Sequence, residues 1–295
     1  MELWNKDKLD MIEKKPSAII QIDCDREWDD IDVSAKILFD FKTIFEKYKL
    51  KATWFAVGND LEFPPVRDAF KSIMESGHEI GNHTYSHLKD FVLQKPEVKR
   101  VEIEKCDLAI KSIGYEPTGF RSPYFGVNDS IIKVLKDMEY GYDSSICPSP
   151  FLNNIIRLKH ILNYGFIKGQ RKTGNINKNT ILNQICDTEI SEIPISVFPY
   201  LHFPIHASYA LVLPLKIPYI LTEILLEYYR SKRIPLVYVF HLNDLCSNRY
   251  LKSKEFKYLI PLENRKEFIN WICSRISSSF HSKLTREYVE EINNV

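Results

Sequence analysis

Residues 17–25 read SAIIQIDCD, a run rich in β-branched isoleucine that follows Pro16 and ends in two carboxylates. A short apolar run bounded in this way reads as a buried strand over Ser17–Asp23. The segments that follow it set the fold class. Asp32–Lys49 places Val33, Ile37, Phe41, Ile44 and Tyr48 at helical spacing. Ala52–Val57 (ATWFAV) is a second strand ending at Gly58, and Pro65–Glu75 opens a helix with proline in its first turn. His78–Gly81 is a third short strand. Pro96–Ile113 is helical, with Gly114 placed to close it by a left-handed cap. Strand Thr118–Phe120, helix Ser130–Met138 and strand Tyr140–Asp143 continue the alternation. Further on, Leu236–Phe240 (LVYVF) is a buried strand and Glu263–Ser279 a helix. Strands alternating with helices imply an α/β fold with parallel strands and right-handed crossovers.

The 295 residues form one large domain or two modest ones. No repeat, low-complexity tract or linker divides them, so a single domain over 1–295 is expected, with 147–215 an irregular insertion and 263–295 C-terminal helices. Apolar residues make up 44% and charged residues 27%, which excludes disordered, collagen-like and coiled-coil chains. Forty basic against 39 acidic residues leave a net charge of +1, so nothing draws the chain as a whole to nucleic acid. Glycine numbers only 10, and neither GxGxxG nor GxxxxGK[ST] occurs, which excludes the common phosphate-cradling loops. The six cysteines lie at least 27 residues apart, so there is no CxxC zinc or redox motif. The N-terminal residues MELWNKDKLDMIEKKPSAII carry charges where a signal peptide has its apolar run. A cytoplasmic location with reduced thiols is expected, with the inner face of a membrane as a peripheral alternative.

Five polar clusters fall at strand ends, where parallel α/β folds gather functional groups. The first is Asp23-Cys24-Asp25. Alternation sends both carboxylates the same way, although Asp25 or Asp29 capping a turn is the bland alternative. The second is His83-Thr84-Tyr85-Ser86-His87. Histidines four apart share one face of a helix and, with one carboxylate, make a metal set with open positions for water and substrate. Two unrelated histidines would look the same. Gly119-Phe120-Arg121-Ser122-Pro123-Tyr124 carries an always-charged arginine suited to a carboxylate, or else a surface arginine in a turn. Asp143-Ser144-Ser145 and His241, in Phe240-His241-Leu242-Asn243-Asp244, complete the set. Each of these alone reads as structural.

The order and spacing of the five clusters resemble the polysaccharide deacetylase family, carbohydrate esterases that remove N- or O-acetyl groups from sugars. The resemblance covers roughly 17–145 and 234–245 and implies a distorted (β/α) barrel. It implies Asp23 as catalytic base, Asp25 with His83 and His87 as ligands of one divalent metal (zinc most often), and Arg121 holding the base. Pro123 and Tyr124 match the R-x-P-Y motif, in which the backbone N–H at the Tyr position helps to form the oxyanion hole. Asp143 resembles the acid that tunes the catalytic histidine, although the tryptophan that usually follows is absent. His241 resembles the general acid.

The resemblance further implies an N-acetylated, or N-formylated, amino sugar as substrate, lipid-linked in polysaccharide or glycolipid synthesis if the chain stays inside the cell. A cyclic-amide hydrolase and a metal-free carbohydrate-binding relative are the competing readings. The run Ile193–Leu215 has no Asp, Glu, Lys or Arg over 23 residues, yet four prolines and two histidines argue against a spanning helix. It reads either as a buried strand and loop closing the barrel, or as an aromatic rim (Phe198, Tyr200, Leu201, Phe203) resting on a membrane. In the second reading Lys216 and Arg230-Ser231-Lys232-Arg233 add attraction to anionic lipid.

Overall fold

The computed structural model describes residues 15–149, 190–198, 202–204, 206–211, 213, 216–251 and 260–294. Within them the chain runs β1 (Ser17–Asp23), α1 (Ile31–Lys47), β2 (Thr53–Ala56), α2 (Pro64–Glu75), β3 (Glu79–Asn82) and α3 (Pro96–Ser112). It continues as β4 (Gly119–Phe120), α4 (Asp129–Asp137), β5 (Tyr142–Asp143), β6 (Ser191–Glu192), α5 (Ala207–Ala210), α6 (Ile217–Lys232) and β7 (Leu236–His241). It ends with α7 (Leu262–Ser279), β8 (His281–Lys283) and α8 (Thr285–Asn293). Four 3-10 turns, at Gly58–Glu62, Phe91–Leu93, Pro123–Phe125 and Leu242–Leu245, follow or link these elements.

The strands form one parallel sheet in the order β6-β5-β4-β3-β2-β1-β7. β8 pairs with Ser17–Ile19 of β1, beside the half of β1 that β2 pairs from Gln21 onward. After β6 the chain bends back across the gap. Ile193 and Ile195 donate backbone N–H to Asp143 and Ile146, and Ser196 donates to Val237 on β7. The sheet therefore curls into a distorted (β/α) barrel, the fold that the resemblance implies, and its parallel strands are those expected from the alternation.

Side-chain parity on β1 sorts the core. Ala18, Ile20 and Ile22 face outward into the main core, with Phe41 and Phe45 of α1, Ile80 of β3 and Phe240 of β7. Ile19 faces inward with Phe55, Tyr142, Ile193 and Val237, and Tyr288 and Val289 of α8 close that end of the barrel. Gln21 and Asp23, also inward and fully or almost fully buried, lie above Ile19. The apolar run 193–215 contributes Ile193, Ile195, Val197 and Leu211 to the interior, while Phe198 and Phe203 are half-buried against the main core. Tyr200 and Leu201 lie outside the described residues. Among the described residues no helix is long and apolar enough to cross a membrane.

Three expectations need adjustment. The stretch 263–295 is not all helix, since His281–Lys283 pairs with β1; three polar residues carry no strand pattern, and only the open edge of β1 makes them one. Tyr140–Asp143 shortens to Tyr142–Asp143, because Tyr140 N–H turns back to Leu135 O and closes α4. Residues 83–88 form a loop rather than a helix, with Thr84 (φ 68°) and His87 (φ 49°) left-handed. Gly114, at φ +89°, occupies the left-handed position expected of it after α3.

Candidate active site

The register of the sheet assembles the centre. β1 and β7 run parallel with Asp23 opposite His241, the last residue of each strand, and both side chains point inward. His241 Nε2 lies 3.5 Å from Asp23 Oδ2, and Arg121 Nη1 lies 3.5 Å from Asp23 Oδ1. Arg121 is fully buried, with its guanidinium 4.7 Å from the Phe55 ring centre and 5.4 Å from that of Phe125. Its Nη2 donates to Gln21 Oε1 and, at 3.0 Å, to Ser144 Oγ. Burial pushes the Asp23 pKa up. Arg121 first, and then His83, His241 and His87, more than offset this and hold the carboxyl below its ordinary value. A buried carboxylate in this field stays ionised and can accept a proton.

One strand over, β3 delivers the histidines. His83 follows Asn82 directly, and the left-handed turn at Thr84 folds His87 back so that the two rings lie 4.8 Å apart. His87 N–H donates to Thr84 Oγ1 at 3.2 Å, which fixes that turn. The i, i+4 pair is thus brought together by a loop and not by a helical face. His83 Nδ1 lies 2.7 Å from the Arg121 carbonyl, so this nitrogen carries the proton and Nε2 is left as a lone-pair donor. Burial drives both imidazoles down to about 4, which keeps them neutral at ordinary pH. Asp25, His83 and His87 each offer one ligand atom, all within 4.8 Å of one another. Asp25 Oδ1 is buried without a hydrogen-bond partner, an arrangement that is costly unless a cation is coordinated there. One carboxylate and two neutral imidazoles fit zinc or another borderline divalent ion.

Tyr124 (φ 53°) sits in the turn after Pro123, its ring 5.5 Å from that of His87, and its side chain is among the few large apolar ones left exposed. Asp143 lies elsewhere in the site. It stands in register with Glu192 on β6, and Ser145 Oγ donates to it. Burial raises its carboxyl to about 6 against the opposing influence of Glu192, Ser145 and Arg121, and raises that of Glu192 further. The expected tuning of His241 by Asp143 is therefore corrected. A second carboxylate in register with Asp143 has become its partner, and His241 Nδ1 faces Ser208 Oγ at 3.0 Å instead. Ser208 Oγ donates to Asp244 Oδ1 at 2.7 Å, and Asp244 Oδ2 accepts the His241 N–H at 2.9 Å. His206, buried, has its ring 5.1 Å from that of His241.

Glu192, His206, Ser208 and Asp244 carry no motif, and the first three lie in the irregular stretch. Asp244 alone left a signal, as a short acidic side chain three residues after a histidine that ends a strand. The described cysteines, Cys24, Cys106, Cys147, Cys246 and Cys273, are buried and free.

The fold and donor set define a class: a parallel (β/α) barrel with a two-histidine, one-carboxylate cluster and a carboxylate–histidine pair at the carboxyl ends of its strands. Residues 28–142, about two fifths of the chain, match the family model described as polysaccharide deacetylase. The peptidoglycan deacetylase of Helicobacter pylori is 29% identical over 115 residues, 39% of this chain and 39% of that protein. A peptidoglycan-N-acetylglucosamine deacetylase of Bacillus cereus is 32% identical over 112 residues, 38% of each chain. The matched part thus spans about two fifths of the length of these relatives. A solved structure of a polysaccharide deacetylase-type protein from Mycobacterium smegmatis superposes with a TM-score of 0.60 at 14% identity, over 96% of this chain and 92% of that one. At that identity the likeness is one of fold alone.

Proposed function

We propose that the chain is a metal-dependent hydrolase that removes the N-acetyl group from an amino sugar within an acetylated glycan. The observation that carries this reading is the placement of Asp23 and His241, 3.5 Å apart, beside the Asp25–His83–His87 cluster. Zinc held by Asp25, His83 and His87 would acidify a water and polarise the acetamide carbonyl. Asp23, kept ionised and aimed by Arg121, takes the proton of the attacking water. The Tyr124 backbone N–H, in the turn beside His87, serves the developing oxyanion. His241, on the far side of Asp23 from Arg121, delivers a proton to the departing amine. Relatives named for peptidoglycan deacetylation support N-acetylglucosamine- or N-acetylmuramic acid-containing glycans as the first substrates to test.

The test is acetate release from N-acetylated chito-oligosaccharides and peptidoglycan fragments by protein stripped of metal and then reloaded with zinc. The expected result is metal-dependent release that is lost in the Asp25→Ala/His83→Ala double variant. Equal release by stripped, loaded and variant protein would overturn the metal-dependent reading. Release from a cyclic amide and from none of the sugars would replace the substrate class.

A further inference from the structure

We propose that Ser208 and Asp244 are the positioning residues of His241, forming a carboxylate–hydroxyl–imidazole chain that fixes the ring and its tautomer in place of Asp143. The proposal rests on the reading of His241 as the proton donor to the leaving amine. Its geometry comes from two elements. Asp244 lies in the Leu242–Leu245 turn directly after β7, is fully buried, and grips the backbone of His241 through the 2.9 Å bond from the His241 N–H to Oδ2. Its other oxygen accepts from Ser208 Oγ at 2.7 Å, and Ser208 stands on α5, which packs against β7.

The assignment of protons follows from counting donors. A serine hydroxyl has one hydrogen, and a carboxylate has none to give. With the Ser208 hydrogen directed at Asp244, Ser208 Oγ meets His241 Nδ1 at 3.0 Å as an acceptor. Nδ1 therefore carries the hydrogen. Nε2, on the side of Asp23 and the metal cluster, is the nitrogen that gains and releases the catalytic proton. The same chain stabilises the doubly protonated ring, because the Nδ1–H then donates into a hydroxyl already polarised by Asp244. Without the chain the imidazole is free to settle as the Nε2–H tautomer or to rotate about its last side-chain bond, and the proton leaves from the wrong atom or in the wrong direction.

The expected effect falls on turnover. Losing a partner that orients a site imidazole typically costs about 10–100-fold. Ser208→Ala should lower kcat by about that factor with KM little changed, and Ser208→Thr, which keeps the hydroxyl, should recover most of the loss. A second readout does not depend on catalysis. Long-range 1H–15N correlation spectra, recorded where imidazoles are neutral and assigned against His241→Gln, should show His241 as the Nδ1–H tautomer in wild type. In Ser208→Ala the Nε2–H form should appear. Wild-type kcat together with an unchanged tautomer in Ser208→Ala would overturn the proposal, as would an Nε2–H tautomer in the wild type. If no substrate is turned over by any form, the functional reading fails, and the spectra alone still decide whether Ser208 and Asp244 set the ring.

Discussion

Replacing Asp23 by asparagine separates the general-base role proposed for it from the role proposed for the Asp25–His83–His87 cluster. The amide has the volume of the carboxylate, and Asp25, His83 and His87 keep the ligand atoms that converge within 4.8 Å. Metal content should therefore hold, while turnover should fall by about 10²–10⁴-fold, the usual contribution of a general base. Stability should change as well. Arg121 is fully buried, and the Asp23 carboxylate is the anion beside it, 3.5 Å from Nη1. At an effective dielectric constant near 20, a pair at that distance attracts by about 5 kcal/mol. Removing the carboxylate also removes its own burial penalty, and Gln21 and Ser144 still accept from Nη2. The net loss should be about 3 kcal/mol, at the lower edge of what breaking a buried pair costs. In a chain of this size that lowers the Tm by roughly 5 °C. Steady-state acetate release, elemental analysis and urea denaturation on the same preparation give the three numbers. A folded Asp23→Asn protein with full metal and near-wild-type kcat would refute the assignment of the base. A variant as stable as wild type would refute the assigned Arg121–Asp23 pairing.

Three further outcomes follow from the same geometry. His83→Ala removes a neutral imidazole whose Nε2 is presented by the Arg121 carbonyl, so elemental analysis of the folded variant should find bound zinc largely lost; stoichiometric zinc would move the site elsewhere. Burial lifts the carboxyls of Asp143 and Glu192, the first from an ordinary 3.8 to about 6. The folded chain then holds protons that the unfolded chain has released, so this contribution is fully present below the ordinary carboxyl pKa and is lost as pH rises through about 6. Glu192→Gln should be the more stable protein at pH 8, by roughly 1–3 kcal/mol, and no different at pH 4; urea midpoints that respond equally to pH in both proteins would rule the pair out. A methyl group on Gly119 would meet the Tyr142 ring at about 2 Å, and Tyr142 OH donates to Glu79 at 2.7 Å. Gly119→Ala should therefore cost about 3 kcal/mol in denaturant, and a loss under ~1 kcal/mol would show that the ring can shift at little cost.

The strand–helix order through residue 143 was legible because each strand is a compact apolar run and each helix carries a periodic stripe. The Ser17–Asp23 strand agrees with the sequence to the residue. What escaped the sequence was made by contacts between distant segments. His281–Lys283 is polar and becomes a strand only because β1 has an open edge there. The turn that folds His87 onto His83 depends on left-handed Thr84 and His87, conformations that neither residue type announces. Asp143 and Glu192 are 49 positions apart and meet by strand register, and Ser208 reaches His241 from a four-residue helix inside an apolar run. A short motif records the groups that do the chemistry. It does not record what aims them.

The interior beneath the site shows how that aiming is built into the barrel. A small barrel is ordinarily filled with branched apolar side chains, but here a fully buried Arg121 has to be held, and an apolar filling would leave Nη2, its one hydrogen-bonded donor group, unmatched as well. Gln21, two residues below Asp23 on the same inward face, accepts from Arg121 and donates to Ser144 at 3.1 Å and Thr285 at 3.3 Å. Thr285 meets Thr53 at 2.7 Å, and Thr53 donates to Glu79 at 2.7 Å. Glu79 also accepts from Tyr142 and from the Arg286 N–H. A continuous polar chain thus runs from the Asp23 carboxylate to the first turn of α8 at the opposite mouth. Arg121 is held from below at Nη2 by groups whose positions are set by β1, β2, β3 and the C-terminal helix together, so the setting of Asp23 depends on residues more than 260 positions away in sequence. That dependence gives the C-terminal helix, which lies outside the family match, a direct structural link to the site.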